Sequence, residues 1–479
     1  MMTLKELTAD LKPTLLLRGD TEIKGLTEDS REIRPGFAFV AIAGSRCHGL
    51  DFLKEALFKG ATAVITDREI TPPEGIGFCV IPRLKEFLPL LAARFYAFPE
   101  NDLTLIGVTG TNGKTSVTFF VRDLLKYFGE KAGIIGTVGY FWGEEEESAS
   151  HTTPGPFKLR EMLARMRAAG ASYAVLEASS HALSQGRLAG LSFKVGIFTN
   201  LSRDHLDYHG DMENYFQAKK LLFKEHLSPQ GKAVINVIDP WGRRLLADLL
   251  QPVIKVGEDL RGMVSKRSPQ GFSFRFWWGS QEYELATTLF GDFQLENLLL
   301  ACSCGLALGY PFGEIMKALK GVKAPPGRLE LVAEKEGALI FVDYAHTPEA
   351  LQRALLSLRP LARRLFVVFG CGGERDQGKR PLMGEVAERI AEIVILTSDN
   401  PRGEDPKKII SDIVLGMKSS PLIVIDRREA IETALSLLKG GDILLIAGKG
   451  HEAYQEIAGK RYPFSDRTFV KEILAQEAA

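Results

Sequence analysis

Residues 103–116 constrain this chain more than any other stretch. The apolar run Leu105, Ile106, Val108 breaks into the glycine-rich turn Gly110, Thr111, Asn112, Gly113, then closes on Lys114, Thr115 and Ser116 ahead of the apolar Val117, Phe119, Phe120 and Val121. That order reads strand, tight loop, helix. Glycines let the backbone curl so that several N–H groups face one anion. The helix N-terminus adds its dipole, Lys114 a positive charge, and Thr115 a hydroxyl for Mg²⁺. Residues 110–116 are therefore expected to bind a nucleoside triphosphate. The motif departs from the usual P-loop in one place: Val108 stands where the first glycine of G-x-x-x-x-G-K-T belongs. A glycine-rich turn alone is often only a turn; the Lys-Thr pair directly after an apolar strand favours the nucleotide site.

The rest of the chain repeats the alternation. Strands are expected at residues 37–42 and 63–66, with a helical pattern at 52–58 between them and a helix at 84–96. After a linker at Phe98, Pro99, Glu100 and Asn101, strands follow at 105–108, 132–135, 173–176, 195–198 and 233–236, separated by helical segments such as 159–169. Residues 144–147 are an acidic run in a hairpin-like region, read as a solvated loop, residues 271–285 alternate as antiparallel strands do, and 295–308 is a strongly apolar helix. Ala324, Pro325, Pro326 and Gly327 form the clearest linker and a reasonable hinge. Beyond it, buried strands are expected at 339–342, 365–369, 393–396, 422–425 and 443–446. Strands alternating with helices imply mostly parallel sheets covered on both faces. At 479 residues several domains are expected: an N-terminal α/β domain over 1–100, a central P-loop domain over 101–324 and a Rossmann-like domain over 325–479.

Charge removes some functions. Lys plus Arg and Asp plus Glu both total 60, so no global field draws the chain to nucleic acid or anionic lipid. The five cysteines, Cys47, Cys79, Cys302, Cys304 and Cys371, are scattered without zinc or disulfide spacing, which suits a reducing cytoplasm. No run is long enough to span a bilayer, and the first residues carry no signal-peptide core. A cytoplasmic monomer acting on small molecules is the expectation.

Ligands of doubly wound sheets bind beyond the carboxyl ends of the strands. Glu177, Ser179, Ser180 and His181 follow one central strand; Thr199, Asn200, Asp204, His205, Asp207 and His209 follow another. Glu177 and His205 are candidate ligands for a divalent cation, with Thr115 and phosphates completing its shell; the plainer reading of 204–207 is a polar turn. Residues 211–223 form an amphipathic helix whose apolar stripe, Met212, Tyr215, Phe216, Leu222 and Phe223, has Lys219 at its centre and Lys220 on its flank. A lysine there must snorkel, find a partner or become a carbamate; snorkelling is the usual outcome. In the last third, a glycine loop carrying Arg375, Lys379 and Arg380, the loop Ser398, Asp399, Asn400, Pro401, Arg402, and the loop Gly448, Lys449, Gly450, His451, Glu452 each follow a strand. Loops of both charge signs suit a zwitterion such as an amino acid.

With these motifs in this order, the chain resembles the Mur ligases over essentially its whole length. The resemblance rests on residues 110–116, 177–181, 204–209, the Gly327-Arg328-Leu329-Glu330 turn, the Asp343-Tyr344-Ala345-His346 run and residues 399–402. It implies three domains that bind UDP, ATP and the incoming amino acid. It implies an ATP-dependent acid–amino-acid ligase of peptidoglycan precursor synthesis that makes an acyl phosphate, with Mg²⁺ as cofactor. Carried over by motif, Ser30, His151, Thr152, Thr153, Ser179, Gln185 and Arg187 hold the UDP-muramyl-peptide. Asn297, Arg328 and His346 join residues 110–116 at the nucleotide. Lys114, Glu177, His205 and Lys219 are catalytic, with Thr115, Glu177, His205 and a carbamylated Lys219 on the metal. Arg375, Asp399, Asn400, Pro401, Arg402, Gly448 and Glu452 receive the amino acid, and Asp399 to Arg402 match the members that add meso-diaminopimelate rather than L-lysine. One departure stands out: Gln294 occupies a position where the family usually has asparagine. A nucleotide-controlled switch is the non-ligase alternative, but the guanine-reading Asn-Lys-x-Asp is absent.

Overall fold

The computed structural model describes residues 2–44 and 47–477. These divide into two compact units, the described residues within 2–114, 125–235 and 239–253 in one, and 115–124, 236–238 and 254–477 in the other.

The first unit opens with a five-stranded sheet in the order Leu15–Leu17, Gly77–Val80, Ala63–Thr66, Phe37–Ala41, Gly25–Thr27. All neighbours are parallel except the first pair. The period of two is explicit: Ala38, Val40, Ala63 and Ile65 enter one core, Phe39 and Val64 the opposite one. The unit also holds a run of strands in the order Glu145–Glu147, Tyr140–Trp142, Ala132–Ile135, Tyr173–Glu177, Thr104–Thr109, Phe193–Phe198, Leu227–Asn236. Ala132–Ile135 onward, the pairs are parallel, so the loops after Thr109, Ile135, Glu177 and Phe198 emerge at one edge. Gly107 makes room at the centre: a Cβ there would lie 2.8 Å from Leu222 and 3.0 Å from Phe193.

The acidic run lies in the hairpin expected there, but as one of its strands and not as a loop. Glu145–Glu147 pairs antiparallel with Tyr140–Trp142. The aromatic strand supplies the buried face, Glu145 accepts the Trp142 indole N–H at 2.8 Å, and Lys158 meets Glu147 at 2.7 Å.

In the second unit, Leu260–Ser268, Gly271–Trp278 and Gln281–Ala286 form an antiparallel meander, with Phe272, Phe274 and Phe276 on its buried face. The helix Gln294–Leu308 buries Cys302 and Cys304. A six-stranded sheet then runs Glu330–Lys335, Ala338–Asp343, Ile443–Ala447, Leu365–Phe369, Ile393–Leu396, Leu422–Ile423, parallel apart from its first pair. Its last strand is shorter and wetter than the buried strand expected: Leu422 and Ile423 are 45 % and 52 % exposed. The cause is its place at the sheet edge. Because Ile443–Ala447 inserts between Ala338–Asp343 and Leu365–Phe369, the loops after Asp343, Phe369, Leu396 and Ala447 share one end of the sheet, the usual location of a ligand. The whole is α/β with an N-terminal, a central and a C-terminal sheet domain. Among the described residues no helix is long and apolar enough to cross a membrane.

Candidate active site

In the first unit the phosphate loop adopts the backbone that its glycines permit, with φ of 147° at Gly110 and 86° at Gly113. A Cβ on Gly110 would collide with Thr199 Oγ1. The loop is braced by residues that follow the neighbouring strand. Thr199 Oγ1 donates to Asn112 O at 2.6 Å, Asn112 N donates to Asn200 Oδ1 at 2.9 Å, and Thr111 N donates to Asn200 O at 2.9 Å.

Two ammonium groups converge on one carbonyl. Lys114 Nζ donates to Gly110 O and Thr111 O, both at 2.9 Å, and Lys219 Nζ donates to Gly110 O at 2.8 Å. Lys219 is 1 % exposed and lies 4.4 Å from the centre of the Tyr215 ring. Burial first, and Lys114 second, push its pKa well below the usual lysine value, against the pull of Asp204. Lys219 thus does not snorkel, and among the described residues it meets no carboxylate. Lys220 on the flank does the ordinary thing and pairs with Asp248 at 2.7 Å.

Glu177 is buried at the end of its strand. Its carboxylate accepts from Thr137 N and Thr137 Oγ1, each at 3.0 Å. His205 sits in the left-handed region at φ 54° before the short helix Leu206–His209, so the polar turn is real. Its side chain is 48 % exposed, yet its pKa is pushed down to about 4, by desolvation first, then by Lys114, His181 and Lys219 against Asp204. The His181 and His205 ring centres are 5.0 Å apart. A carboxylate, an imidazole and a buried lysine able to become a carbamate have the donor chemistry that a hard divalent cation takes.

Five of the seven residues assigned to the muramyl-peptide, Thr152, Thr153, Ser179, Gln185 and Arg187, form one network through Thr137 and Glu177. Thr153 Oγ1 donates to Glu177 O at 2.6 Å and lies within hydrogen-bond reach of Ser179 Oγ at 3.1 Å. Arg187 Nη1 donates to Thr153 O at 2.7 Å and its Nη2 to Gln185 Oε1 at 2.7 Å. Thr152 and Thr137 share a hydroxyl contact at 3.0 Å. Ser30 and His151 line a cleft of about 580 Å³ together with Asp29, Arg31 and Pro154.

In the second unit, Arg328 Nη2 donates to Thr115 Oγ1 at 3.2 Å, and its guanidinium lies over Tyr344 at 4.8 Å. Asp343 fixes the turn by accepting from Leu329 N at 2.5 Å and Ala345 N at 2.8 Å. His346 stands beside Tyr344, with ring centres 4.7 Å apart. Asn297 is buried, and its Nδ2 donates to Gln294 Oε1 at 2.9 Å, so Gln294 orients the side chain three residues on.

The three polar loops of this unit meet. Arg402 Nη1 donates to Gly373 O at 2.6 Å, and its Nε lies 3.7 Å from Glu456. Glu404 turns instead to Arg380, which is buried and also paired with Asp412. Arg380, on a loop read from sequence as part of an amino-acid site, is therefore committed to holding that loop. Asn400 Nδ2 donates to Glu452 Oε2 at 2.8 Å. Asp399 is buried beside Gly448, and burial raises its pKa against the opposing pull of Arg427 and Lys449. Arg375 lies exposed on its loop.

Four further residues support the site. Thr137 follows a strand at the same edge as Glu177, a position the strand pattern marks. Lys449 lies in the loop after Ala447. Arg427 and Asp466, a fully buried pair bonded twice at 2.8 Å, gave no local signal, being 39 residues apart.

Three sequence models match along the chain: the Mur ligase family catalytic domain at residues 22–96, the Mur ligase middle domain at 108–305, and the Mur ligase glutamate ligase domain at 327–450. A UDP-N-acetylmuramoyl-L-alanyl-D-glutamate–2,6-diaminopimelate ligase from Coxiella burnetii is 43 % identical over 477 residues, covering 96 % of this chain and 97 % of its own. A solved structure of a ligase of the same name superposes with a TM-score of 0.67 at 32 % identity, covering 100 % of this chain and 99 % of the other. The MurF ligase from Thermotoga maritima, solved in complex with ADP, shares the fold at a TM-score of 0.69 and 22 % identity, covering 95 % of this chain and 98 % of its own.

Proposed function

The chain belongs to the Mur ligase family, and on that premise we propose that it joins meso-2,6-diaminopimelate to UDP-N-acetylmuramoyl-L-alanyl-D-glutamate with ATP as co-substrate, in peptidoglycan precursor synthesis. The observation that carries the choice of amino acid is Arg402. Its guanidinium is aimed by Gly373 O and by Glu456, not consumed by Glu404. A planar fork held this way suits a carboxylate, which diaminopimelate has at the far end of its side chain and lysine lacks.

The chemistry follows from the charges. A substrate carboxylate must attack the γ-phosphate of ATP, and both are anions. Lys114 and the loop N–H groups draw off that repulsion. The acyl phosphate then meets the amine of diaminopimelate, and amide, ADP and phosphate result. Mg²⁺, held by Thr115, Glu177, His205 and carbamylated Lys219, would supply further charge neutralisation. Lys219 is deprotonated more easily than an exposed lysine, which is what reaction with CO₂ requires. Thr153, Ser179, Gln185 and Arg187 orient the muramyl-peptide, with Ser30 and His151 in the cleft that takes its UDP end. Asn297, Arg328 and His346 serve the nucleotide, and Arg375, Asp399, Asn400, Gly448 and Glu452 the amino acid. The domain boundaries read from sequence, 1–100, 101–324 and 325–479, accommodate the three matched segments. A cytoplasmic monomer remains our reading.

Phosphate release with each substrate omitted in turn tests the proposal. Turnover should need ATP, UDP-muramyl-dipeptide and diaminopimelate together. Equal use of L-lysine would overturn the amino-acid assignment, and release without the muramyl-dipeptide would overturn the ligase.

A further inference from the structure

Lys449 follows the strand Ile443–Ala447 and is fully buried, at 0 % exposure. Its ammonium donates to Asn400 Oδ1 at 3.1 Å and to Glu452 Oε2 at 2.9 Å. Asn400 Oδ1 also accepts from Glu456 N at 2.9 Å, and Asn400 Nδ2 donates to Glu452 Oε2 at 2.8 Å. These bonds fix the amide one way round and tether one oxygen of Glu452. The side chain of Glu452 keeps 18 % exposure, so its other oxygen is the group left for a ligand.

The local charge count gives the cation a second consequence. Arg402 and Lys449, with Arg427 bound to Asp466 behind them, face Asp399, Glu452 and Glu456. With Lys449 present the cluster can welcome a group that carries a carboxylate beside its ammonium. Without it, Glu452 loses its bonded buried cation and Asp399 keeps only Arg427, which is already shared with Asp466, so a bare ammonium becomes the better guest.

We propose that Lys449 is a positioning residue that sets amino-acid selectivity: by clamping Asn400 and Glu452 and balancing the charge of Glu452, it favours an amino acid whose far end is a zwitterion over one ending in an ammonium alone. This rests on the reading of the site as an amino-acid pocket given above.

The test compares kcat/KM for meso-diaminopimelate and L-lysine in wild-type enzyme and in Lys449→Met, Lys449→Gln and Lys449→Arg, each checked for folding by circular dichroism. The neutral variants should lower the diaminopimelate-to-lysine ratio at least about tenfold, equivalent to about 1.4 kcal/mol. The change should sit in the KM for the amino acid, with the KM for ATP unmoved, and Lys449→Arg should restore most of the ratio. A general loss that leaves the ratio unchanged would overturn the proposal, as would neutral variants that fail to fold, because the ammonium would then be a folding element and not a selector. A wild-type enzyme with no preference for diaminopimelate is a separate outcome: it would overturn the pocket's assignment itself.

Discussion

A lysine ammonium enclosed to 1 % exposure, with a carbonyl as its hydrogen-bond acceptor and a second ammonium sharing that acceptor, is held against its ordinary chemistry. Desolvation of a cation is expensive unless it is paired, so the neutral amine, the form that reacts with CO₂, is favoured at Lys219. Lys219→Ala should therefore lose most activity while circular dichroism stays native, and millimolar formate or acetate should restore part of it. Retained activity in the variant would end the carbamate reading. Arg402 invites the parallel argument. Its removal takes away a charge-assisted carboxylate contact worth roughly 2–5 kcal/mol, about 30- to several-thousand-fold. Arg402→Ala should raise the KM for diaminopimelate by an amount in that range and leave the KM for ATP nearly unchanged, as initial-rate kinetics would reveal. Both residues were legible in sequence, one from its place in an apolar stripe and one from its motif. Lys449 was visible as a letter in a loop, but its burial and its two partners belong to other segments, so its role was not.

At the scale of elements, buried ion pairs tie the C-terminal sheet to its helices. Arg427, the first residue of the helix Arg427–Leu437, bonds both oxygens of Asp466 at the head of Asp466–Glu477 and also Ala447 O, just before the amino-acid loop. Removing one partner leaves the other charge buried and uncompensated, which costs roughly 3–5 kcal/mol. Arg427→Met should lower the urea midpoint accordingly with little change in m-value, and an unshifted midpoint would refute the tie. The double variant Arg427→Met with Asp466→Leu should recover much of the loss. Strands and helices themselves were largely legible because their apolar periods are local. Two were misjudged for one physical reason. The acidic strand Glu145–Glu147 and the edge strand Leu422–Ile423 are defined by a neighbour, Tyr140–Trp142 in one case and the sheet boundary in the other, which their own residues do not announce.

For the whole molecule, ligands that bind only the folded state should stabilise it by mass action. ATP with Mg²⁺ at about a hundred times its Kd should add about 2.7 kcal/mol, read as a rise in the thermal unfolding midpoint. The UDP-muramyl-dipeptide should raise the midpoint further, and L-lysine at the same concentration as diaminopimelate should raise it less than diaminopimelate does. A midpoint indifferent to ATP would contradict the nucleotide site. The sequence by itself determined the α/β class, the order of the sheets and the loops at their carboxyl ends, because apolar periodicity and glycine placement act within a few residues. It also carried the motifs that place the chain in its family. Tertiary structure alone decided that two lysines share Gly110 O, that Arg380 is spent on Glu404 and Asp412 while Arg402 is kept aimed by Gly373, and that Lys449 bridges Asn400 and Glu452. Each of these depends on desolvation and on partners far apart in the chain, and neither is a property that a local stretch of sequence can express.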